Sequence, residues 1–96
     1  MNKNIIVIPT YNEKDNIAIL LEKIFKLLPG TSVIVVDDNS PDNTAAAIGT
    51  LQNQYPNLSL LKRNEKEGLG KAYIAGFKKV LENPDFKTVT MMDADL

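Results

Sequence analysis

No cysteine, histidine or tryptophan occurs in this chain of 96 residues. Without cysteine there can be no disulfide framework, thiolate metal site or cysteine nucleophile. Without histidine the usual general base near neutral pH, the Ser-His-Asp triad and the imidazole metal site are excluded, so carboxylates and backbone groups must carry any chemistry. Charge of one sign is also lacking. Eleven Lys plus Arg face 12 Asp plus Glu, a formal net charge of -1, so no overall basic field exists to hold a nucleic-acid backbone and no nucleic-acid partner is expected. Long apolar runs are missing as well. The opening run, Ile5 to Ile8, stops at Pro9, far short of a signal-peptide core or a membrane span, which predicts a cytoplasmic location.

What is present is ordinary for a globular protein: 44% hydrophobic and 24% charged residues, enough for one small domain with one core. Asn4 to Ile8 and Val33 to Val36 are near-continuous, β-branched apolar runs of the kind buried on both faces of a parallel sheet. Asn57 to Lys62 alternates more weakly and suits a sheet edge, and Thr88 to Met92 predicts a fourth strand. Between them lie three helical patterns. Ile17, Leu20, Leu21, Ile24 and Leu28 keep helical spacing after a predicted N-cap at Asn12, and Pro29-Gly30 stops the helix. Ser40-Pro41 reads as N-cap and first position of a second helix running to about Gln54, with Ala47, Ile48, Leu51 and Tyr55 inward. The third opens at Gly68-Leu69-Gly70, with Leu69, Tyr73, Gly76, Phe77 and Val80 on one stripe. Alternating strands and helices joined by short connections predict an α/β fold, Rossmann-like, with right-handed crossovers and an open, mostly parallel sheet.

Ligands of such sheets bind outside the C-terminal ends of the strands. The polar clusters fall at three of those ends: Thr10 to Glu13, Asp37 to Asp42 and Asp93 to Asp95. Gly68-Leu69-Gly70-Lys71 is not a dinucleotide fingerprint, because Tyr73 stands at the sixth position, and no Gly-Lys-Ser/Thr follows for a phosphate loop. Glycine freedom before a helix explains it, with backbone amides and Lys71 available to an anion. Asp38 to Gly49 fails as a calcium loop, since Asn43 stands where the turn needs glycine and Gly49 where a bidentate Glu is required. Asp93-Ala94-Asp95 carries more. Residues i and i+2 of an extended chain share a side, so two hard oxygen ligands just past a strand suit Mg2+ or Mn2+, which keeps its other positions for water and substrate phosphates. Asp37 and Asp38 are adjacent carboxylates of which only one can cap a helix, leaving the other for the N–H of a base or the hydroxyls of a ribose.

Three motifs in order, Pro9-Thr10-Tyr11-Asn12-Glu13, Val35-Val36-Asp37-Asp38-Asn39-Ser40 and Met92-Asp93-Ala94-Asp95-Leu96, resemble the nucleotide-binding half of inverting family-two glycosyltransferases with the GT-A fold. With Gly68-Leu69-Gly70-Lys71-Ala72-Tyr73 they are similar to the dolichyl- or polyprenyl-phosphate mannosyltransferase branch, which moves mannose from GDP-mannose to a lipid phosphate. The resemblance implies that residues 1–96 form the N-terminal nucleotide-sugar-binding part of a larger transferase. It implies that Pro9, Tyr11 and Glu13 line the guanosine pocket, that Val36 and Asp38 lie against base or ribose, and that Ala94 sits near the sugar nucleotide. Asp93 and Asp95 would be the catalytic, metal-holding pair on the diphosphate. Asn43 stands where the branch commonly has glycine, and Lys71 where a small hydroxyl residue is common. Both departures leave the donor sugar open, and the rival readings are a same-fold transferase with another nucleotide-sugar donor or a saccharide acceptor, or a nucleotide-sugar-binding fragment without turnover. The implied acceptor is a polyprenyl or dolichyl phosphate at the cytoplasmic face of a membrane. An acceptor phosphate is already anionic at neutral pH, so a chain without histidine loses little by having no strong base. A sheet order of 3-2-1-4 would place two helices on one face and one on the other, which predicts a bare apolar patch beside the lone helix.

Overall fold

The computed structural model describes residues 4–64 and 68–94, apart from the side chain of Leu69. Its elements follow the expected order: β1 (Asn4–Thr10), α1 (Lys14–Leu27), β2 (Ser32–Asp37), α2 (Thr44–Gln52), β3 (Leu58–Lys62), α3 (Leu69–Leu81) and β4 (Thr88–Met91). The four strands form one parallel sheet ordered β3-β2-β1-β4. The α/β class and the Rossmann-like parallel sheet are as the sequence predicts.

The side-chain period of a strand divides the core in two. Ile6 and Ile8 of β1 with Val33 and Val35 of β2 pack against Ile17, Leu21, Ile24 and Phe25 of α1 and Ile48 of α2. Ile5 and Val7 with Ile34 and Val36 face the other way, onto Ala72 and Val80 of α3. Phe25, which the sequence pattern overlooks, stacks on Tyr55 with ring centroids 4.6 Å apart. Leu28, expected inward, lies beyond the end of α1 and is exposed. α3 approaches the sheet closely at Gly76, where a Cβ would come within 2.6 Å of Val7 Cγ1 and 3.1 Å of Val36 Cγ2. Glycine at that position fixes the height of α3 over β1 and β2.

β1 runs on through Pro9 to Thr10 instead of closing at Pro9. The Met92 N–H donates to the Val7 carbonyl, so that side of β1 faces β4, and the period of two turns the Pro9 nitrogen the same way. β4 pairs with Asn4 to Val7 only. The missing proline donor therefore falls beyond the neighbour's end, where no ladder bond is lost.

Both helix starts depart from expectation. Asn12 has φ 55°, in the left-handed region, and Glu13 takes the cap position of α1. α2 starts at Thr44, three residues after Pro41, behind an Asn43 with φ 65°. An N-cap residue normally keeps an extended backbone; here Asp42 serves both starts instead, α1 from the neighbouring loop and α2 from two residues before Thr44. The expected apolar surface is present: Val89 and Met91, paired with Ile5 and Val7 on the α3 side, are 39% and 58% exposed.

Candidate functional site

The ends of β1 and β2 are tied by one buried carboxylate. Asp37, fully enclosed, accepts hydrogen bonds at Oδ1 from Thr10 Oγ1 at 2.9 Å and Ser40 Oγ at 2.5 Å, and at Oδ2 from the Ser40 N–H at 3.0 Å. Ser40 Oγ in turn accepts from the Asn12 N–H at 2.9 Å. Asp42 makes the second tie. Its Oδ2 accepts from the Lys14 N–H at 3.2 Å, capping α1 from another loop, and its Oδ1 accepts from the Thr44 N–H at 3.1 Å and from the Thr44 hydroxyl. These ties hold Asn12, Asn39 and Asn43 at positive φ, between 55° and 65°. Asparagine tolerates that region better than other residues with a side chain, so the loops keep a tight path without glycine.

Partial withdrawal from water raises the pKa of Asp42. The Thr44 hydroxyl, the N–H groups of Lys14 and Thr44, and the Lys14 ammonium outweigh that, leaving it below the ordinary 3.8. A carboxyl depressed by folding stabilises the fold above its unfolded pKa, and this contribution is lost as pH falls through the folded value. Asp42→Asn is therefore expected to melt below the wild type near neutral pH. Thermal melts from pH 7 to pH 2 should show the two curves converging below about pH 4, whereas a gap constant with pH would assign the difference to shape alone.

Asp38 points away from this network. It is buried, and its Oδ1 lies 3.2 Å from Arg63 Nη1, a coulombic contact without hydrogen-bond alignment. Pro9 is buried beside Tyr11, which is half-buried, and Glu13, whose Oε2 accepts from Asn16 Nδ2 at 3.2 Å. Val36 is wholly enclosed under α3 and presents no surface. Lys71 is exposed in the first turn of α3, next to Gly68 at φ 100°, a backbone state that favours glycine.

Beyond β4 the alternation continues. Met92 and Ala94 pack into the cluster beneath α1 and α2, so Asp93 between them faces the α3 side and is exposed. There its Oδ1 accepts a hydrogen bond from Tyr73 Oη at 3.0 Å. Asp95 lies outside the described residues. Those expected site residues that are described thus share the C-terminal rim of the sheet, except Val36 beneath it. Sequence reasoning missed Arg63, Tyr73 and the two ties: Tyr73 reads as a stripe residue, and contacts between distant loops leave no local pattern.

The family model described as glycosyl transferase family 2 matches residues 5–96. The chain belongs to that family. Among the relatives it matches, undecaprenyl-phosphate mannosyltransferase of Micrococcus luteus is 42% identical over 89 residues, covering 93% of this chain and 36% of its own length. Polyprenol monophosphomannose synthase of Mycolicibacterium smegmatis is 36% identical over 94 residues, covering 97% of this chain and 35% of its own length. The chain therefore spans about a third of these relatives. A mannosyltransferase of Pyrobaculum calidifontis, solved in complex with GDP-Man and Mn2+, superimposes with a TM-score of 0.81 at 27% identity, over 97% of this chain and 27% of that one. The family's GT-A fold accounts for the sheet order and for the position of the polar rim.

The donor chemistry of this rim suits a hard divalent ion through oxygen ligands. Among the described residues no three carboxylates, histidines or cysteines converge. A hard divalent ion can be held by as few as one or two carboxylates, with the rest of its shell from water and phosphate oxygens, and Asp93 is an exposed carboxylate on this rim. A shallow cleft of about 280 Å³ lies at the opposite end of the sheet, among Ile5, Asn57, Val80 and Phe86, and has no carboxylate in its lining. Among the described residues no helix is long and apolar enough to cross a membrane.

Proposed function

We propose that this chain is the donor-binding part of a transferase that moves mannose from GDP-mannose to a polyprenyl or dolichyl phosphate at a membrane surface, with inversion. The observation that supports this best is the meeting, on one rim, of the Thr10–Glu13 segment, Asp38 and Asp93, in a chain 42% identical to an undecaprenyl-phosphate mannosyltransferase. Pro9, Tyr11 and Glu13 line the nucleoside, with Val36 backing them from below. Asp38 accepts from base or ribose. Asp93 and Asp95 hold Mg2+ or Mn2+ against the diphosphate, Lys71 adds positive charge, and Ala94 keeps room beside the sugar.

The bound ion supplies charge neutralisation on the leaving diphosphate. The residues of this chain position the donor so that an acceptor phosphate oxygen can reach the anomeric carbon from the face opposite the departing nucleoside diphosphate. One C–O bond forms as the other breaks, and no proton has to be removed from an anionic acceptor.

Calorimetric titration with GDP and UDP, each with and without Mn2+, tests the donor assignment. Metal-dependent binding of GDP in preference to UDP is the expected result. No metal-dependent binding of either would overturn the proposal, and equal binding of UDP would move the assignment to another donor. Formation of a lipid-linked sugar with release of GDP separates a transferase from a binding fragment.

A further inference from the structure

We infer that Tyr73 is a positioning residue for Asp93, fixing the carboxylate that the proposed function assigns to the metal. The inference rests on that assignment and deepens it.

Three observations place Tyr73. Gly76 lets α3 sit against Val7 and Val36, which sets the height of the helix over β1 and β2. Tyr73 lies one turn nearer the start of α3, on the half of the helix closest to the C-terminal ends of the strands. Its ring rests on the α3-side core and stacks on Phe77, with centroids 6.3 Å apart and planes inclined by 25°. A ring held in this way delivers its hydroxyl to a fixed point, and there it donates to Asp93 Oδ1 at 3.0 Å.

Asp93 needs such a partner. It follows the last residue of β4 by two positions and is exposed, while its neighbours Met92 and Ala94 are anchored on the opposite side of the strand. The backbone is therefore fixed and the carboxylate is not. A donor on Oδ1 selects one rotamer and leaves Oδ2 to face a cation. Outer hydrogen bonds of this kind orient metal-binding carboxylates, and their loss typically costs about 10–100-fold in metal affinity. Asp93 takes its bond from an element other than its own strand, so the position of α3 and the geometry of the metal site are linked.

The test uses Tyr73→Phe, which keeps the ring and its stacking and removes only the donor, with Asp93→Ala as reference. Mn2+ affinity is read from the electron paramagnetic resonance signal of free Mn2+ at saturating GDP, alongside metal-free GDP affinity and a thermal melt. For Tyr73→Phe the expected result is a loss of roughly 10-fold in Mn2+ affinity, with metal-free GDP affinity and melting unchanged. Wild-type Mn2+ affinity in Tyr73→Phe, with a loss in Asp93→Ala, would overturn the inference and leave the assignment of Asp93 intact. An equal loss of metal-free GDP affinity in Tyr73→Phe would also overturn it, because the residue would then be shaping the pocket as a whole. Unchanged Mn2+ affinity in both variants would overturn the inference together with the metal assignment.

Discussion

Asp93→Ala is expected to abolish the gain in GDP affinity that Mn2+ confers and to leave metal-free binding as it was. The affinity measured with metal should fall by roughly 100-fold or more, since removal of even an outer partner costs about 10–100-fold and this variant removes the carboxylate itself. Structure limits the effect to the metal. The side chain is exposed and its backbone is held by Met92 and Ala94 on the other side of the strand, so the truncation opens no cavity and unpairs no ladder. Calorimetry with GDP, with and without Mn2+, reads both quantities in one series. Equal loss under both conditions would show that Asp93 touches the nucleoside, and no loss under either would reduce it to a charge at a strand end.

Asp37→Ala should have the largest effect on stability. Its carboxylate is fully buried and takes bonds from Thr10 Oγ1, Ser40 Oγ and the Ser40 N–H. Alanine leaves those donors without an acceptor at the junction of two loops. Hydrogen bonds to a charged group contribute about 1.5–3 kcal/mol each, and not all are lost outright, because half-buried Ser40 can turn to water. A net loss of about 3 kcal/mol is expected, which at roughly 4–8 °C per kcal/mol for a domain of this size lowers Tm by more than about 10 °C. On the proposed function, the nucleotide should bind more weakly in both the presence and the absence of metal, because the loops after β1 and β2 lose their tie. Thermal melts followed by circular dichroism, with GDP calorimetry below the transition, check both. A Tm within a few degrees of wild type would mean that the loops hold their path without Asp37.

The strands and their order were legible because burial on both faces of a parallel sheet leaves a mark in consecutive residues. Ile5 to Ile8 and Val33 to Val36 can hardly be anything else. The division of the helices between the two faces followed from right-handed crossovers once the sheet order 3-2-1-4 was taken. The helix starts were not legible in the same way. Local rules point to Asn12 and Ser40 as caps, but Asn12 is turned into a left-handed bend, Ser40 is spent on Asp37, and α1 is capped by Asp42 from the next loop. Propensity records what a residue does for its neighbours in sequence, and here the partners lie 28 positions apart. The candidate site divides similarly. The acidic clusters at strand ends stand out in the sequence, whereas Arg63 against Asp38 and Tyr73 against Asp93 are visible only once α3 and the rim are assembled.

The strand order also sets a sequence of events during synthesis. β1 pairs first with β2, and β2 with β3, each over a modest loop, whereas the other edge of β1 waits for Thr88 to Met91. A ribosome adds about 5–20 residues per second, so a nascent chain that pairs its first three strands as they emerge keeps an open edge at Asn4 to Val7 until β4 is made. That edge is a template for pairing with other chains. The segment that closes it runs on past Met91 into Asp93, so a nascent chain gains its protected edge and the carboxylate proposed to hold the metal together.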